Sequence, residues 1–110
     1  MKYPSNLATA ALSATTLTDV YTSPQQPAAT GLETITVCNR GGTDTTFRMA
    51  ISPKGATIAD AHYVYYDVAV PANDTILLNG SFNLWPGDVV RFYAGNANLS
   101  VRLDGFSPNV

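Results

Sequence analysis

Turn-forming residues recur along this chain about every 8 to 12 positions, and the runs between them alternate apolar with polar side chains. A period of two belongs to a strand with one face buried, because successive side chains point to opposite sides of a sheet. The spacing predicts about seven strands: Leu17 to Thr22, Leu32 to Asn39, Asp44 to Ile51, Ala61 to Val70, Asp74 to Asn79, Asp88 to Ala94 and Leu99 to Gly105. Between the first two lies SPQQPAATG, whose prolines exclude a central strand. NRGGTD reads as a tight hairpin, and ATIADA within the irregular stretch SPKGATIAD could form one helical turn. In VPAND and WPGD, Pro71 and Pro86 occupy turn positions, and Gly87 can take the positive φ that a type II turn requires after proline. The expected fold is therefore all-β, an antiparallel sandwich or barrel, with a single β-sandwich, immunoglobulin-like or jelly-roll-like, as the favoured form.

Composition agrees with one ordered domain. The 110 residues are 45% hydrophobic and 13% charged, too apolar for disorder, and the length suits a single core. Six basic residues against eight acidic ones, without a Lys/Arg cluster, provide no footprint for a phosphate backbone, so nucleic acid is not an expected partner. No segment approaches the roughly 20 apolar residues that span a bilayer, and no membrane is expected either. Cys38 is the only cysteine, which excludes an intrachain disulfide and thiolate zinc clusters and reads as a half-buried strand residue. The opening MKYPSNLATAALSATTLTDVY has a Lys2 lead and a small-x-small Ala8-Thr9-Ala10, but Thr9 and Ser13 interrupt its apolar run. Residues 1–15 are read as an extended or weakly helical N-terminal arm, and residues 16–110 as the sandwich.

Alternation assigns a core set: Ile35, Val37, Phe47, Met49, Ile51, Val64, Tyr66, Val68, Ile76, Leu78, Val90, Phe92, Leu99, Val101 and Leu103. Trp85 is expected to cover the edge of that core. The opposite set contains Thr34, Thr36, Cys38, Arg48, Tyr63, Tyr65, Leu77, Arg91, Tyr93 and Arg102. Lysine and glutamate, the usual residues of a solvated strand face, are almost missing from it, whereas tyrosine and arginine are enriched where proteins meet. Tyr63, Tyr65, Tyr93, Arg48, Arg91, Arg102 and Leu77 are the expected interface residues; the bland alternative is a solvated face with scattered tyrosines.

Chemistry is weakly represented. Asp60, Asp67, Asp74 and Asp88 each sit beside a turn, where aspartate bonds local backbone, and no loop has D-x-D-x-D-G calcium spacing. A Ser-His-Asp site would need His62, the only histidine, and no G-x-S-x-G elbow accompanies it. NRGG leads into a strand rather than the helix of a phosphate loop. The expectation is a protein without enzymatic activity, metal or cofactor.

The succession LTDVYTSP, ETITVCNRGGTDTTFRMAI, ADAHYVYYDVAVPANDTILL and LWPGDVVRFYAGNANLSVRLDGF resembles a class of small tailed-bacteriophage virion proteins. The matching positions are Tyr21, Ile35, Val37, Asn39, Tyr63, Tyr65, Tyr66, Asp67, Pro71 to Thr75, Leu84 and Gly87-Asp88. These motifs are structural punctuation covering the chain after about Thr16. The resemblance implies a β-sandwich module that decorates or cements a capsid, or forms part of a neck, tail, baseplate or fibre. The implied partners are copies of itself, with a trimer the favoured state, and the major capsid protein or other virion proteins. The implied location is the virion, and the host cytoplasm during assembly. A reading of another class is a glycan-binding module for host attachment, with Tyr63, Tyr65 and Tyr93 as a stacking platform and Asp67 or Arg91 bonding hydroxyls.

Overall fold

The computed structural model describes residues 3–24 and 29–107. Among them eight strands form two four-stranded antiparallel sheets. The strands are β1 (Tyr3–Ala11), β2 (Thr18–Thr22), β3 (Thr30–Asn39), β4 (Thr45–Ser52), β5 (Tyr63–Val70), β6 (Thr75–Leu84), β7 (Val89–Ala94) and β8 (Leu99–Ser107). One sheet runs β1-β8-β3-β6 and the other β2-β7-β4-β5, an all-β arrangement consistent with a sandwich.

The eighth strand comes from the segment read as an arm. Ala8 pairs with Leu103 and Ala10 with Val101, and the Leu12 N–H donates to the Leu99 carbonyl at 2.9 Å. Ala8, Ala10 and Leu12 share the inward side, and Leu12 is buried. The signal was a period of two carried by alanines, which are too small to announce a core face. The expected boundary near residue 16 therefore falls outside any free arm: residues 3–11 lie within the sheet.

Ile35, Val37, Leu99, Val101 and Leu103 from the first sheet face Phe47, Met49, Val90 and Phe92 from the second, all at most 2% exposed. Phe47 centres this core, with the rings of Phe92 and Tyr65 6.1 and 6.2 Å from its own. Truncating such a phenylalanine costs about 3–5 kcal/mol, a large part of the roughly 5–15 kcal/mol that holds a domain folded. Two members of the expected core are elsewhere: Val64 is 38% and Tyr66 58% exposed.

The corners follow their local chemistry. Gly87 has φ +88°, and the Asp88 N–H donates to the Trp85 carbonyl at 3.0 Å, closing the type II turn. The Asp88 carboxylate accepts N–H bonds from Trp85 and Lys54, tying this corner to the loop after β4. Trp85 itself is 61% exposed, so its indole does not cover the core as expected; its backbone, not its ring, is what the corner uses. The helical turn expected within ATIADA falls at its end, where Asp60–His62 makes one short 3-10 turn. Buried Asn39 links the hairpin after β3 to β5, donating to the Thr43 and Val70 carbonyls and accepting from Gly41 N–H. No buried side-chain nitrogen or oxygen lacks a partner among the described residues.

Candidate functional site

The outer side of the β2-β7-β4-β5 sheet carries the most distinctive surface. Arg48 on β4 pairs in register with Tyr93 on β7, which brings both side chains to one spot on that face. The neighbouring β5 is irregular: its pairing with β4 shifts between Phe47 and Met49 and again between Met49 and Ala50. Asp67 stands at the first shift with φ +51°, a left-handed conformation that aspartate tolerates better than most residues. The extra residue reverses the facing of what precedes it. Val68 and Val70 point inward on even numbers, and so does Tyr65 on an odd one, packing against Phe47 and Phe82.

Tyr66 is thereby placed outside. The Arg48 guanidinium lies 4.2 Å from the Tyr66 ring centre and 4.8 Å from that of Tyr93, between two π faces. Asp67 holds its fork at 2.7 Å through Nε and 3.4 Å through Nη2. That hydrogen bond is the main cause raising the Arg48 pKa above its ordinary value, with the attraction of the carboxylate adding to it, so the cation persists at every relevant pH. Tyr63 meets the Tyr66 ring edge-on at 5.1 Å. The result is a preorganised cluster of Tyr63, Tyr66, Arg48 and Tyr93 on one open sheet face.

The seven expected interface residues do not share a surface. Arg48, Tyr63 and Tyr93 are in the cluster just described, while Tyr65 is turned into the core. Arg91 is spent on the fold: its side chain is 14% exposed, and it donates to Asp19, to the Ser52 hydroxyl and to the Ala56 carbonyl. Arg102 and Leu77 lie on the outer side of the other sheet, where Arg102 pairs with Asp104 at 3.0 Å and Leu77 is 60% exposed. A single second face was thus two faces, on opposite sides of the sandwich. Tyr66 is the residue that strict alternation misses; the one signal for it was aspartate inside a strand pattern.

His62 Nδ1 accepts the Ala59 N–H at 3.2 Å and lies 3.4 Å from the Ser52 hydroxyl. Ser52 is fully buried and already bonded by Arg91, so this pair fastens the loop between β4 and β5 and presents no open nucleophile. Among the described residues no three His, Cys, Asp or Glu side chains gather as metal ligands, and no helix is long and apolar enough to cross a membrane. Comparison with protein-family models, curated proteins and solved structures found no match.

Proposed function

We propose that this chain is a non-enzymatic virion structural protein that decorates or cements a phage capsid through many subunit contacts. The observation that carries the reading is the Tyr63, Tyr66, Arg48 and Tyr93 cluster, with Tyr66 58% exposed on a face without lysine or glutamate. Tyrosine and arginine held in fixed rotamers lose little entropy on contact, which is why they dominate the centres of protein interfaces. Weak contacts repeated over a symmetric particle add up to firm attachment.

The strand order supports a jelly roll over an immunoglobulin-like sandwich. Two four-stranded sheets with the first strand beside the last, β1-β8-β3-β6 against β2-β7-β4-β5, suit two nested Greek keys. That architecture serves capsid and lectin domains alike, so fold alone does not choose between them. The face does. In the glycan reading tyrosine rings form a flat platform, but Tyr65 is inside, Tyr63 and Tyr66 stand at 89° to each other, and Arg48 lies over the Tyr66 and Tyr93 rings.

The test is co-expression with the major capsid protein encoded nearest to its gene, followed by gradient purification of shells. The chain should travel with shells at a fixed copy ratio, and Tyr66→Ala and Tyr93→Ala should release it without changing its melting temperature. Recovery on tails, necks or fibres instead would transfer the reading to those assemblies. Absence from all of them, together with a defined sugar bound on a glycan array, would replace it with host attachment.

A further inference from the structure

Each sheet has two edges, and an unprotected edge pairs with other strands. Three of the four edges here carry a protective device. β1 contains Pro4 and a register break between Asn6 and Ala8. β2 is five residues long, bears Asp19 and shifts register after it. β5 has two shifts and the left-handed Asp67. The remaining edge is β6, ten residues with neither a charge nor a proline, hydrogen-bonded among the described residues on one side only, to β3. From Thr75 to Asn79 its pairing with β3 is regular, and the one break comes after that stretch.

We infer that the β6 edge is a dimer contact, with Thr75 to Asn79 of two copies pairing antiparallel about a two-fold axis centred on Leu77, so that two sheets join into one of eight strands. The stretch is self-complementary in that register. Leu77 meets its own copy on the outer face, Thr75 meets Asn79 twice, and on the inner face Ile76 meets Leu78 twice. Like meets like in polarity, and the absence of charge leaves no repulsion to oppose the approach. Leu77, 60% exposed in the single chain, is covered, and Ile76 and Leu78, only half-buried although they point inward, gain the neighbour they lack. Centring on a residue keeps every side chain on its own face, whereas a slip of one residue would set Ile76 against Leu77 and mix the two. Main-chain hydrogen bonds along the edge provide affinity, as in strand addition generally.

This contact is independent of the tyrosine cluster, which lies on the other sheet. A trimer, favoured from sequence, would require a second surface besides this one.

Light scattering after size-exclusion chromatography over a dilution series should give twice the 11.7 kDa chain mass, falling to one chain at low concentration. Leu77→Lys and Asn79→Lys should each hold the protein at one chain, with circular dichroism unchanged and the melting temperature that the unaltered protein has at low concentration. Tyr66→Ala should leave the dimer intact. Hydrogen exchange of the unaltered protein adds a readout that does not depend on any variant folding: the alternate amides of residues 75–79 that point away from β3 should be protected in the dimer and lose that protection on dilution. A single chain at every concentration, association that survives both lysine substitutions, or unprotected edge-facing amides within 75–79 in the associated form would overturn the inference. Because shell binding is scored separately, a dimer absent from shells would count against the virion reading alone.

Discussion

Tyr65 and Tyr66 are chemically identical neighbours with opposite roles. Tyr65 lies against Phe47 and Phe82, whereas Tyr66 stands in solvent over Arg48. Removing a partly buried ring forfeits its transfer free energy and leaves a gap beside Phe47. Tyr65→Ala should therefore lower stability by about 2–4 kcal/mol in urea unfolding. Tyr66→Ala should cost less than about 1 kcal/mol, as exposed substitutions do, and act on association. The opposite ranking would return Tyr65 to the surface and undo the assignment of the cluster. Among the buried polar residues Asp88 was readable at the same scale: it follows Pro86-Gly87, where a turn needs a side-chain partner, and it accepts the Trp85 N–H.

At the scale of elements, the bulges decide which residues are seen from outside. The expected strand limits for β3 and β7 differ from the observed ones by two residues or fewer, because Gly, Pro, Asn and Asp mark chain reversals through their own backbone preferences. Facing was legible only up to the first bulge. In β3 the pairing with β8 shifts between Leu32 and Thr34, which lets Leu32 join Ile35 and Val37 in the core although its parity differs. In β5 the shift at Asp67 does the same for Tyr65. Backbone conformation at that position is testable through two substitutions, Asp67→Gly and Asp67→Val, since both remove the carboxylate that holds Arg48 but only glycine accepts φ +51° freely. Valine should be less stable than glycine by about 1–2 kcal/mol in urea unfolding. Equal stabilities would mean that the bulge does not depend on this residue. Gly105 marks another close approach: a Cβ there would sit 1.9 Å from the Gly31 carbonyl oxygen, so β3 and β8 meet where no larger residue fits.

For the whole molecule, β1 pairs with β8 at one side of the first sheet, the first of the described strands beside the last. Deleting residues 1–11 removes that strand, uncovers the β8 edge and strips Leu7, Ala8 and Ala10 from the core. The truncated chain should lose several of the roughly 5–15 kcal/mol typical of a domain and show a much lower urea midpoint or no cooperative transition. A dispensable arm would change the midpoint hardly at all, which makes this truncation decisive about whether β1 is structural.

The amino-acid order determined an all-β chain, where most strands begin and end, the corner at Pro86-Gly87 and the centre of the core from Ile35 and Val37 to Phe92 and Leu103, since alternation and turn chemistry are properties of short stretches of backbone. Tertiary structure decided the rest: that an alanine-rich opening joins a sheet, that bulges turn Tyr65 in and Tyr66 out, and that the polar sides of the strands form two opposed surfaces. Those outcomes depend on which strand lies beside which, and partners distant along the chain leave no periodic trace in either one.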